Sequence, residues 1–219
     1  MVPTRFGQTN NLLTFADKYG KQIENWHGVD AQATARLSGL MVQGGISSGR
    51  RLTDICDVRR ALPELNIAGL TAPLNPYCRV VEPFLTQFKA LAAYTVPRAD
   101  VQIAATVQSI PGPVVAANVV YPTAVVAGTL GRPLAGNTAT AVVNAIAPAT
   151  EYGDRLNQLD FRVGKLVRLA RTRMAFNVDL FNALNANAVL TENASFAVFR
   201  QPIAVLNPRL VKFSVNLDF

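Results

Sequence analysis

From Val29 to Leu37 every odd position is apolar (Val29, Ala31, Ala33, Ala35, Leu37) and every even one is polar (Asp30, Gln32, Thr34, Arg36). An extended strand turns such a run into one apolar and one polar face, which a helix cannot do. The last nine residues repeat the pattern, with Val211, Phe213, Val215, Leu217 and Phe219 against Lys212, Ser214, Asn216 and Asp218. Val101, Ile103, Ala105 and Val107 alternate with Gln102, Ala104, Thr106 and Gln108. Four looser runs fit the same period: Leu40 to Ser48, Phe84 to Val96, Leu159 to Val163 and Met174 to Leu180. The expectation is an all-β chain of about seven strands without a long helix. A basic helix through Arg162, Lys165, Arg168 and Arg171 is the local rival. It fails because Leu159, Phe161 and Val163 would wrap around the cylinder instead of forming a stripe.

The spacing between runs is as informative as the runs. Short connections (Ser38-Gly39, Pro97 to Asp100, Ala170 to Arg173) alternate with long ones (Gly49 to Pro83, Ser109 to Arg155, Asn187 to Arg209). Structureless loops beyond about 15 residues are uncommon in compact domains, whereas short turns on one side and long loops on the other are the habit of transmembrane barrels. Strands survive in lipid only when closed into a barrel, apolar outside and wet inside, and about 9–11 tilted residues suffice to cross. The runs here have that length. The modest bulk of the apolar faces, with much Ala and Val, suits lipid better than a jigsaw core.

Composition narrows the alternatives. The 219 residues are 50% hydrophobic and 16% charged, which excludes extensive disorder. No uninterrupted apolar stretch long enough for a spanning helix exists; Val114 to Leu130 is broken by Asn118, Pro122 and Thr123. The opening MVPTRFGQTN lacks the apolar core and small-residue cleavage site of a signal peptide. A net charge of +7 invites a nucleic-acid reading, but the basic residues are scattered among acids, so no nucleic-acid partner is expected. Cys56 and Cys78 are the only cysteines. With one histidine in the chain they make a poor zinc site, and they read either as a loop-closing disulfide or as two free thiols.

Catalytic signals are weak. His27, beside Trp26 in the first long segment, has no GxSxG-type serine or orienting acid, and a solvated or rim-packed Trp-His pair is the plainer reading. Gly44 to Arg50 lacks the Lys-Ser/Thr of a phosphate loop. No enzyme activity, cofactor or metal is expected. Ser109 to Pro113 reads as a strand terminator. Asp160, Arg162, Asn177 and Asp179 are expected on a lumenal wall, and Phe84, Phe88 and Tyr94 in interfacial aromatic girdles. Asn193-Ala194-Ser195 is taken to have no role as an acceptor sequence.

The terminal KFSVNLDF resembles the C-terminal assembly signal of Gram-negative outer-membrane barrels, with Lys212, Ser214, Leu217 and Phe219 in its characteristic places and Ser where Gly is usual. EYGDRLNQLDFRVGKLVRL, RMAFNVDLFNALNANAVLT and the closing strand are similar to the last three strands of TonB-dependent receptors. GVDAQATARLSGLMVQGGISSGRR and the NPYC, PFLTQFKALAAYTVP and VQIAATVQSIPGP stretches resemble the strands before them. More narrowly, these stretches resemble large receptors that carry a carboxypeptidase-regulatory-like domain ahead of the plug. The resemblance runs from Thr14 onwards. It implies an outer-membrane location and contact with lipid and the barrel-assembly machinery. It also implies uptake of a scarce ligand driven by TonB, which would act only through an N-terminal part not visible here. On that resemblance, residues 1–28 form an extracellular loop and 29–219 seven strands of a 22-stranded barrel without its plug, with Cys56 and Cys78 stapling one long loop. A passive porin-like pore is the runner-up, and a soluble structural or adhesive β-protein the third expectation.

Overall fold

The structure, a computed structural model, describes residues 13–62, 77–133, 139–169 and 172–218. In chain order the elements are β1 (Ile23–Leu37), β2 (Leu40–Asp54), α1 (Cys56–Ala61), β3 (Arg79–Val81), β4 (Leu85–Val96), β5 (Val101–Ile110), β6 (Asn118–Pro122), α2 (Thr123–Leu130), β7 (Thr140–Asn144), β8 (Leu156–Leu169), β9 (Thr172–Phe181), β10 (Val189–Glu192), β11 (Pro202–Val205) and β12 (Leu210–Asp218). Seven strands make one antiparallel meander in the order β1-β2-β4-β5-β8-β9-β12, with β3 added along the far end of β2. The sheet does not close. Both helices are short, and no described helix is long and apolar enough to cross a membrane.

Three tight reversals lie at one end of the sheet. Ser38-Gly39 joins β1 to β2, with Gly39 at φ +78° and no room for a Cβ beside the Thr95 carbonyl. Arg98 and Asp100 take positive φ in the turn from β4 to β5. β8 reverses into β9 between Leu169 and Thr172. Each of the first two turns is tied to the strand beside it, Thr95 N of β4 donating to Gly39 O at 2.7 Å and Leu166 N of β8 to Asp100 O at 2.9 Å. The long connections, 55–84, 111–155 and 182–209, all leave from the opposite end.

The strand register carries one apolar row across the whole sheet: Leu37, Leu40, Tyr94, Ile103, Val163, Val178 and Phe213 are successive partners. A second row runs Ala35, Val42, Ala92, Ala105, Phe161, Leu180 and Val211. Because the side-chain period is two, the intervening row (Arg36, Met41, Ala93, Ala104, Arg162, Asp179, Lys212) projects from the other face. The first row also climbs. It touches the turn at Leu37, lies two residues from the end of β4 at Tyr94, and six from the end of β8 at Val163. The strands are thus staggered in one direction across the sheet.

Several strands outrun the alternation. β1 begins at Ile23, so six residues assigned to a loop by the sequence are strand, and β2 reaches Asp54 rather than stopping near Ser48. In these extensions polar and charged residues such as Asn25, His27 and Arg50 stand in the apolar phase, which is why periodicity does not find them. The long connections are not structureless either. The second holds the β6–β7 hairpin and α2, and the third holds the β10–β11 hairpin.

The packed hydrophobic core is in the connections and not on the sheet. Among the described residues, the buried apolar side chains are Ile55, Val58, Val115, Ala117, Ala149 and Ala188, none of them in the seven meander strands. Phe213, at 77% exposure, and Leu37, at 68%, mark the opposite condition on the apolar face.

Candidate functional site

The apolar face handles its few polar groups in a consistent way. Ser48 and Thr86 hydroxyls pair with each other at 2.7 Å, and Ser109 Oγ donates to Asn157 Oδ1 at 2.6 Å. Lys165, flanked in register by Val101 and Phe176, extends its stem to donate from Nζ to the Ala99 carbonyl in the turn. A long cationic chain thus covers apolar surface while its head reaches the polar margin. At the other margin the Arg50 guanidinium sits 5.4 Å from the Phe84 ring centroid. Tyr94 and Phe88 lie on the same apolar face, opposite Leu40 and Ile46.

The polar face is a connected hydrogen-bond network. Gln108 Nε2 donates to Gln158 Oε1 at 2.8 Å, Gln158 Nε2 to Asp160 Oδ1 at 3.0 Å, and the Asn182 backbone N–H to Asp160 Oδ1 at 2.7 Å. Asn182, 2% exposed, in turn clamps the start of the third connection. Its amide donates to Ala186 O and Asn207 O, and its Oδ1 accepts from Ala186 N. Arg162 grips Asp179 with two hydrogen bonds, and Lys212 sits on the other side of Asp179 in register. Asn177 is buried against Gly164, where a Cβ would strike its Oδ1. The four residues anticipated on one wall, Asp160, Arg162, Asn177 and Asp179, therefore share the polar face. Two shallow concavities of about 440 and 480 Å³ run along it and share Gln32, Gly45 and Lys89.

Trp26 and His27 are not a packed pair. They lie in β1, not in a loop, and consecutive strand residues project from opposite faces. His27, opposite Arg50, belongs to the apolar side. Trp26 belongs to the polar side, its indole folded along the wall into the space that a Cβ on Gly28 or Gly49 would fill. Extending the Val29–Leu37 alternation backwards puts Trp26, Gly28 and Asp30 in one phase, so the sequence held this signal.

At the rim of the long connections, Cys56 and Cys78 form a disulfide with a Cα–Cα distance of 4.8 Å. It fastens α1 beside β3, where Ile55 N donates to Cys78 O at 3.0 Å. Arg51 binds Glu82 (Nη2 to Oε1, 2.6 Å) and lies 3.7 Å from Glu24. Tyr152 packs nearby, its hydroxyl buried without a hydrogen-bond partner. Burial raises its pKa, the Glu82 carboxylate adds to the rise, and the Arg51 cation opposes it. The second and third connections are joined through Asn118 N, which donates to Ala194 O at 2.7 Å. Ser109 to Pro113 does not simply terminate β5: Gly112 lies so tightly on Gly153 that no Cβ fits, and Pro113 O accepts from Gly153 N at 2.8 Å.

Of the terminal signal residues, Lys212 and Ser214 lie on the polar face of β12 and Leu217 on the apolar face; Phe219 is outside the described residues. The glycine-rich Gly44 to Arg50 is strand, not a loop leading into a helix. Among the described residues no group of three or more His, Cys, Asp or Glu side chains is arranged to hold a metal ion. Comparison with protein-family models, with curated proteins and with solved structures found no match to this chain.

Proposed function

We propose that this chain is part of the wall of an outer-membrane β-barrel of the TonB-dependent receptor kind, with the apolar face against lipid, the polar face toward the lumen and the long connections outside the cell. The observation that carries the reading is the seven-residue apolar row from Leu37 to Phe213, left half-exposed while the packed side chains gather in the connections. In water such a contiguous apolar face would be a liability of the kind that marks a membrane or partner contact. In hydrocarbon it needs no covering layer. The stagger of the row, the outward reach of Lys165 and the self-paired hydroxyls on the apolar side support the same assignment. Among the described residues the outer edges of β1 and β12 have no strand partner, which calls for further strands to close the wall. As a piece of wall the chain carries out no transport by itself.

Single-tryptophan variants test the lipid assignment. With Trp26→Phe as background, Phe213→Trp and Ser214→Trp are placed in vesicles of acyl-brominated phosphatidylcholine. Strong quenching of the first and weak quenching of the second is the expected result. Equal quenching, or a monodisperse chain in water without detergent, overturns the reading. The unpaired edges also permit a passive pore assembled from several copies. Planar-bilayer recordings separate the two: a stable ohmic channel from this chain establishes the pore and removes the receptor-wall assignment.

A further inference from the structure

We propose that the polar face carries a binding platform for a neutral oligosaccharide, built on Trp26 and continued by the amide and carboxylate side chains beyond it. This deepens the barrel assignment, on which its lumenal position rests. The platform begins with the removal of side chains. Gly28 and Gly49 are register partners, and the indole of Trp26 occupies the space both leave free. One ring face is thereby laid along the wall, and Trp26 remains 53% exposed. A tryptophan needed only for packing would bury more of its ring. A tryptophan in an aromatic girdle would project from the apolar face.

The side chains beyond the ring suit a polyhydroxylated ligand. The next row on the same face is Asp30, Ser47 and Gln87, one pleat or about 7 Å further on. After it comes the row Gln32, Gly45, Lys89, Gln108 and Gln158. The two joined concavities track this path toward Asp160. The negative face of an indole attracts the partly positive C–H face of a pyranose ring. Each glutamine offers donors and an acceptor together, matching a hydroxyl that both gives and takes a hydrogen bond. Charge argues against an anionic ligand. Arg51, the nearest cation in register with Trp26, is already held by Glu24 and Glu82, and Lys89 stands on a path that includes Asp30 and Asp160.

Trp26 is the only tryptophan in the chain, so its fluorescence reports this place alone. The full chain in detergent micelles is titrated with maltohexaose, cellohexaose, ferric citrate and tetra-alanine. The expected result is a saturable change in emission with at least one hexasaccharide and none with the chelate or peptide. By calorimetry, Trp26→Ala weakens that binding about tenfold, the upper range of one aromatic contact, and His27→Ala on the opposite face leaves it unchanged. No response to either sugar, a response to ferric citrate alone, or undiminished binding by Trp26→Ala overturns the platform. The brominated-lipid measurement keeps the two assignments apart. Lipid quenching at Phe213→Trp without a sugar response refutes the platform only, and sugar binding without lipid quenching refutes the barrel only.

Discussion

Arg162 and Asp179 are direct partners across β8 and β9, and the guanidinium closes on both carboxylate oxygens, with Nη2 to Oδ2 at 3.2 Å. Asp179 is 3% exposed, while the Arg162 side chain is about half open to solvent. Asp179→Ala leaves Arg162 and Lys212 as neighbouring cations with no carboxylate between them. The expected loss is about 1–3 kcal/mol, less than for a fully buried pair because water reaches the arginine. Urea unfolding in micelles measures it, and a double-mutant cycle with Arg162→Ala isolates the coupling.

Face, rather than strand position, should decide the effect of a new charge on β12. Phe213→Lys places an ammonium near the middle of the strand on the apolar side, at an expected cost of about 2–4 kcal/mol in a bilayer. Ser214→Lys, one residue on, projects from the polar side and should cost little. Folding into vesicles, then denaturant titration, compares them; equal costs would contradict a lipid-facing apolar row.

Reducing the Cys56–Cys78 disulfide should act locally. Its cysteines are separated by 22 in sequence, and releasing such a loop costs about 3 kcal/mol by chain-entropy reasoning. Amide hydrogen exchange should rise at α1 and β3, with β4, β5, β8 and β9 unaffected. Spread of the loss into those strands would show that the staple supports the wall itself.

Tyr152 supplies a pH signature at the rim. Its folded pKa lies above the ordinary phenol value of 10.0 because the ring hydroxyl is desolvated, with Glu82 adding to the rise and Arg51 opposing it. The protonated phenol's contribution is fully present below pH about 10 and is lost as pH rises through the elevated folded value. Ultraviolet titration should show one of the five tyrosines ionising late. Tyr152→Phe should remove that late step and leave stability unchanged or raise it by up to about 1 kcal/mol, since it removes a buried hydroxyl that has no partner.

The meander is legible in the sequence because its determinants are local and periodic. Alternation at Val29–Leu37, Val101–Val107 and Val211–Leu217 assigns both strand and face, and the succession of short and long connections assigns the order of pairing. The strand extensions are not legible, since Asn25, His27 and Arg50 break the apolar phase where pairing continues through backbone hydrogen bonds. The β6–β7 and β10–β11 hairpins escape for a different reason: four- or five-residue strands carry too little periodicity to stand out. Cys56 and Cys78 are visible as a pair, but their bonding depends on β3 returning along β2, a contact no local pattern encodes. Trp26 misleads because its neighbour in sequence, His27, draws the comparison, whereas its companions in space are Gly28 and Gly49.

Keeping the packed clusters in the connections has a consequence for how such a chain can diverge. Under the proposed lipid assignment the apolar face asks each position only for the right polarity, so exchanges among Ala, Val, Leu and Phe there are cheap and leave the scaffold intact. The connections, each with its own small nucleus of Val, Ile or Ala and one with a covalent clasp, can be remodelled one at a time. Variable connections and constant scaffold are thereby written in separate parts of the same polypeptide.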